Sequence, residues 1–150
     1  MILELMQAEL KRDEGIRYTP YADNSEAKNM TVGVGHNLAA ASIPSAWKYP
    51  LSEAQVMQLL AHDIAITTAA LDLHLPWWSS LDEVRQRAFA NMCFNLGIQS
   101  LLGFHNSLNE IARGDYAMAA LSLAKSAWYS QVGIRAVRIC NAIKTGIMEE

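Results

Sequence analysis

A chain of 150 residues with 51% hydrophobic and 18% charged residues can bury a real core, and nothing in that balance indicates disorder. Its formal net charge of −3 argues against nucleic acid as a partner, because such binders usually carry a basic excess. Two cysteines, Cys93 in NMCFNLG and Cys140 in RAVRICNAI, sit in apolar helical patterns and read as buried free thiols, without the spacing of a metal site or disulfide scaffold.

In chain order, residues 2–13 form an amphipathic helix in which Ile2, Leu3, Leu5, Met6 and Leu10 share a broad face, and Gly15 stops it. The acidic Glu4 and Glu9 and the lack of a basic leader make this start neither a signal peptide nor an anchor. No apolar run is expected to approach the ~20 residues that span a bilayer. Glu14 then lies at a helix C-terminus, where a carboxylate opposes the helix dipole and where Lys or Arg is the usual choice. Two strands follow, residues 16–21 and 30–34, joined by the turn-forming DNSEAKN. Gly33 and Gly35 alternate in TVGVGHN, which marks a bend or a place where a ligand or another backbone comes close. Residues 39–50 read as irregular.

Beyond Pro50 the pattern turns helical. Ser52 with Gln55 makes a capping box for a helix carried by Val56, Leu59, Leu60, Ile64 and Leu71 to about residue 73, and Pro76 ends it. Ser80 with Glu83 makes a second box for a helix through Val84, Ala88, Met92, Cys93 and Leu96, closed by Gly97. Helices are expected at 106–113, 116–126 and 133–145, the last before Gly146. There is no repeat and no low-complexity linker. The fold class is α+β and predominantly α-helical, with a small hairpin lobe joined by a long helix to a helical lobe, and with a cleft between lobes as the natural binding site.

Glu14 and Asp23, nine positions apart, flank the first strand, and Thr31 stands on the returning one. Glycoside hydrolysis uses such a carboxyl pair, one protonated and one ionised, although the spacing alone better suits a merely solvated pair. Read together, DEG-I-R, Tyr-x-Asp and T-V-G-V-G-H resemble the phage lysozyme family of the T4 type, glycoside hydrolase family 24. SLDEVRQRAFANMCFNLG, GFHNSL and LAKSAWYSQVGIRAVRI continue the resemblance, in the same order, through nearly the whole chain. It implies one lysozyme-like domain over residues 1–150: a hairpin lobe of about 14–50, an inter-lobe helix of about 52–73, and a helical lobe of about 77–150 joined by helix 2–13.

By the same resemblance Glu14 matches the general acid, Asp23 the carboxylate that activates water or steadies the oxocarbenium-like transition state, and Thr31 the hydroxyl that places that water. Arg135 falls where an Arg pairs with the catalytic Glu, and His36 with Asp63 match a structural ion pair between hairpin and long helix. Phe94 and Ser107 match sugar-contacting positions. Asn37 and Ser122 stand at substrate-side positions where the family more often has an apolar residue and an Asn. The Asp23–Thr31 loop is two residues longer than is typical, and residues 39–50 are shorter than in long-lobed relatives.

The implied activity is an inverting endolysin that hydrolyses the β-1,4 bond between N-acetylmuramic acid and N-acetylglucosamine, with no cofactor and no metal. Two readings compete: a lytic transglycosylase, against which Asp23 and Thr31 argue as a water-handling pair, and a wall-binding or virion module without turnover. The expected partner is the peptidoglycan glycan strand, met by a monomer without membrane insertion, held in the host cytoplasm until a separate pore opens the way to the wall. In the hairpin, Gly33 and Gly35 are expected to let glycan approach the strand.

Overall fold

Why does the first helix stop where it does, beside the hairpin? In the computed structural model, which describes residues 1–24 and 27–149, helix α1 runs Leu3–Glu14 and ends at Gly15. Gly15 adopts φ +73° and its N–H bonds the Lys11 carbonyl at 2.9 Å, a left-handed stop that a side chain would strain. By internal packing the chain divides into two compact units, Gln7–Ala65 and Met1–Met6 with Ile66–Glu150. The sequence predicts helix 2–13 as part of the helical lobe. In the structure residues 7–14 group with the sheet, and only the first turn groups with the C-terminal helices.

The first unit holds an antiparallel sheet of order β1–β2–β3, with β1 at Arg17–Ala22, β2 at Met30–Gly33 and β3 at His36–Asn37. Of the turn segment DNSEAKN, Ser25 and Glu26 lie outside the described residues. Register runs Arg17↔Gly33, Tyr21↔Thr31 and Ala22↔Met30, with an irregularity between Arg17 and Tyr21. Pro20 falls inside that irregular stretch, where a residue without an N–H cannot serve the ladder. Strand β3 was not expected: two residues are too few for a periodicity to register.

Helix α2, Glu53–His74, begins on the expected capping box. Ser52 N–H donates to Gln55 Oε1 at 2.9 Å and Gln55 N–H to Ser52 Oγ at 3.1 Å, so two orphan donors are satisfied reciprocally. Val56, Leu59, Leu60 and Ile64 are buried, at the helical spacing that lines one face. Contrary to the expected absence of such a run, α2 is by length and composition long and apolar enough to cross a bilayer. Ala61, Ile64, Ala65, Ile66, Ala69, Ala70 and Leu71 supply that character. In the fold its carboxylates have protein partners: Asp63 pairs with His36 in the first unit, and Asp72 accepts the Trp78 indole N–H at 2.7 Å in the second.

In the second unit the expected box at Ser80 and Glu83 is replaced. Pro76–Ser80 coil into a 3-10 turn, and α3 (Glu83–Leu96) is capped by Asp82, whose Oδ1 accepts the Arg85 N–H at 3.0 Å. Glu83 Oε1 instead accepts from the Ile2 N–H at 2.9 Å and from Arg87 Nε at 2.7 Å. Then come α4 (Ile98–Leu102), α5 (His105–Ala112), α6 (Tyr116–Ala124), α7 (Ala127–Val132) and α8 (Ile134–Thr145). Helices α4 and α7 were unexpected because five or six residues show too little of a 3.6 period. Phe89, Met92, Leu101, Leu123, Ala136, Ile139 and Ile143 are almost wholly buried, and α8 packs on α3, α6 and α7. Cys93 and Cys140 are free and buried, and burial pushes both thiols up to about 11, which leaves them unreactive.

Arg85 closes the C-terminus of α8. It donates from Nε to the Ile143 carbonyl at 2.7 Å and from Nη2 to the Lys144 carbonyl at 3.2 Å, while its guanidinium lies 3.7 Å from the centre of the Tyr116 ring. Replacing it removes charge-assisted bonds to carbonyls that α8 cannot satisfy itself. Arg85→Ala should lower stability by about 2–3 kcal/mol, read from the urea midpoint at unchanged m-value; a change under about 0.5 kcal/mol would mean that water caps those carbonyls equally well.

Candidate active site

The polar groups of the hairpin gather within the first unit. The half-buried Glu14 ends α1, and its carboxyl group lies over Gly35: a Cβ built there would stand 3.1 Å from Glu14 Cδ and 3.2 Å from Oε2. Gly35 has φ +67°, so its backbone conformation and the space above it both demand glycine. At Gly33 the corresponding space is filled by Val56 Cγ1, 3.3 Å from a built Cβ. The expectation that both glycines admit a glycan is thereby corrected: Val56 packs against one and Glu14 against the other. Gly35→Ala should therefore strain the turn and displace the Glu14 carboxyl, and any activity that uses that carboxyl should fall at least tenfold, beyond what about 1–2 kcal/mol of lost stability explains. A correctly folded variant with full activity would show that Glu14 needs no such seat.

Asp23 and Thr31 are held by the backbone of Asn29. The Asn29 N–H donates to Asp23 Oδ1 at 3.1 Å, while its carbonyl accepts from the Asp23 N–H at 2.9 Å and from Thr31 Oγ1 at 3.1 Å. Lys28, just before it, takes φ +47°, an unusual left-handed conformation for a side-chain-bearing residue. Thr31 is 4% exposed on β2 and spends its hydroxyl proton on that carbonyl, which leaves its oxygen an acceptor for a water's proton.

Tyr21 lies directly across the ladder from Thr31, and the Arg17 guanidinium sits 4.9 Å from its ring centre. Its phenol titrates above the ordinary value through burial first, then the negative charge of Glu14 and, less, of Asp23, with Arg17 opposing. The half-buried Tyr21 ring thus feels the charge of both carboxylates. Two carboxylates in the hairpin unit and a hydroxyl able to accept are the groups that acid–base attack of water on an acetal linkage calls for.

The family model for phage lysozyme matches residues 11–139, most of the chain and all of this constellation. The chain belongs to the phage lysozyme family. By family it is a glycoside hydrolase of the lysozyme type. Among curated proteins it is 26% identical over 160 residues to the probable T4-type lysozyme 1 of Dictyostelium discoideum, covering 93% of this chain and 93% of that one. The probable T4-type lysozyme 2 of the same organism is 25% identical over 162 residues, covering 94% of each. The pre-baseplate central spike protein Gp5 of Enterobacteria phage T4 is 26% identical over 160 residues, but this chain spans only 28% of its length.

The other expected residues of this lysozyme-family chain fall as follows. His36 is buried on β3 and paired through Nδ1 with Asp63 Oδ2 at 2.7 Å. The Asn37 side chain is taken up locally, its Oδ1 accepting the Ala39 N–H at 2.9 Å. In the second unit, Arg135 is buried on α8 and donates from Nε to Asn91 Oδ1 at 2.8 Å. Ser107 is buried on α5, Phe94 is half-buried near the end of α3, and the Ser122 hydroxyl is committed to the buried carboxylate of Glu110 at 2.8–3.0 Å. Sequence reasoning gave no role to Tyr21, although the Tyr-x-Asp motif quotes it. It also missed Asn29, whose contribution is backbone and carries no side-chain signature.

Proposed function

We propose that this chain hydrolyses the β-1,4 bond between N-acetylmuramic acid and N-acetylglucosamine in bacterial peptidoglycan, with inversion at the anomeric carbon. The observation that carries the reading is the shared Asn29 anchor of Asp23 and Thr31, within the same unit that seats Glu14 on Gly35. Glu14 is the general acid: it gives its proton to the glycosidic oxygen as the bond breaks. Asp23 takes a proton from water as that water attacks the anomeric carbon from the opposite face. Thr31 Oγ1 accepts the water's other proton in a hydrogen bond and so aims the attacking lone pair. Inversion requires room for that water, which corresponds to carboxyl groups ~6.5–9.5 Å apart.

The named T4-type lysozymes among the relatives support this substrate, and the cell wall is then the place of action. The test is mass spectrometry of the sugar ends that the purified chain releases from peptidoglycan. Hydrated reducing muramic ends are expected. Anhydro ends would replace water attack by internal attack of the sugar's own hydroxyl, as in a lytic transglycosylase, and no released ends at all would make the chain a binding module.

A further inference from the structure

A cavity of about 680 Å³ lies within the first unit, bounded by the segment after β3 and by one face of α2. Glu14, Tyr21, Asp23 and Thr31 take no part in its lining, so it is separate from the candidate active site. Its walls include Trp47 and Ile43 as apolar surfaces, and Ser42, Ser45, Gln58 and His62 as hydrogen-bonding groups. Among the described residues that line it there is no Asp, Glu, Lys or Arg.

The wall is built in advance of any ligand. His36, 3% exposed, bonds the Ala41 carbonyl through Nε2 at 2.7 Å, and the Asn37 carbonyl accepts the Ala40 and Ala41 N–H groups at 3.2 Å each. The Trp47 N–H closes a turn onto the Pro44 carbonyl at 3.0 Å. Ordering that would otherwise weaken binding is already done.

Such a lining selects its ligand by chemistry. A phosphate, or the charged stem peptide of the wall, would need cations or carboxylates turned toward it, whereas both ring nitrogens of the buried His36 are already bonded to Asp63 and Ala41. A small aliphatic molecule would leave two hydroxyls, an amide and an imidazole without partners on burial. A sugar ring meets both demands: its C–H face packs on an indole, and its hydroxyls and acetamido group bond neutral donors and acceptors. The volume is that of an ordinary small-molecule site. We propose that this cavity is a second, non-catalytic glycan site that takes an uncharged N-acetylhexosamine residue of the wall. The proposal rests on the peptidoglycan reading above and adds to it that the enzyme stays on the strand between cuts, since two linked sites raise retention without new contacts at either.

The test uses the full chain carrying Glu14→Gln, with triacetylchitotriose as the probe and the indole N–H signals followed by NMR, Trp47 being assigned through Trp47→Phe. Saturable movement of the Trp47 signal is expected. Adding Gln58→Ala and His62→Ala, both at exposed positions, should weaken that transition about five- to tenfold. A still Trp47 signal, or one whose transition is unchanged in the added pair of substitutions, overturns the second site. Release of sugar ends by the native chain tests the hydrolase reading separately, so failure of one is not mistaken for failure of the other.

Discussion

The Glu14→Gln variant is expected to pellet with peptidoglycan as the native chain does and to release sugar ends about 10²–10⁴-fold more slowly, the range that general acid catalysis supplies. Glutamine keeps the shape that rests on Gly35 but has no proton to give a departing glycosidic oxygen. The substitution therefore separates chemistry from seating, which Gly35→Ala does not. Binding and release are measured on the same purified sacculi. Equal release by the two proteins would remove Glu14 from the reaction and with it the proposed mechanism. Loss of binding and release together would mean that the carboxylate holds the glycan instead of cleaving it. Asp23→Asn should also slow release, but with the loop intact, because the Asn29 N–H can still donate to an amide oxygen.

A second large effect concerns stability and pH. His36 bonds Asp63 Oδ2 through Nδ1 and the Ala41 carbonyl through Nε2, each at 2.7 Å. An ionised carboxylate and a carbonyl only accept, so both ring nitrogens must donate and the ring is the imidazolium. Its pKa stands above the ordinary 6.5 because the Asp63 bond outweighs the opposing effect of burial, with the Ala41 carbonyl adding to the rise. Above pH 6.5 the folded chain thus holds a proton that the unfolded chain has lost. The pair's stabilisation is fully present below about pH 6.5 and disappears as pH rises through the folded pKa.

With side chains only 4% and 16% exposed, the pair is shielded from water. Asp63→Asn should cost about 3–5 kcal/mol near pH 6 and lower Tm by on the order of 10 °C. The difference between the two proteins should narrow at pH 10. Melting curves at pH 6 and pH 10 decide it: a Tm difference that does not change with pH would mean that packing, and not the charge on His36, ties β3 to α2.

How much of this was legible before folding? The long helices were, because a 3.6 period over fourteen or more residues leaves little ambiguity, and α3 stops at the predicted Gly97. The candidate site residues stood out only in combination. Glu14 stands out because a carboxylate at a helix C-terminus is electrostatically misplaced, and Asp23 and Thr31 through their place in a longer pattern. Short elements were not legible: β3, α4 and α7 exist because the rest of the chain holds them, and their own sequences are too brief to insist.

What the chain by itself determined, then, is the class of fold, which follows from periodicity, and the family, which follows from the resemblance of its motifs in series and carries the hairpin's candidate residues with it. Only the tertiary structure decided how those residues are held. That Gly35 is the seat of Glu14, that the Asn29 backbone fixes Asp23 and Thr31 together, and that Tyr21 feels both carboxylates depend on strand register and on atoms of the main chain. Every residue carries the same main-chain atoms, so no sequence pattern reports which of them a fold will use; their placement is settled when the strands pair and the helices pack.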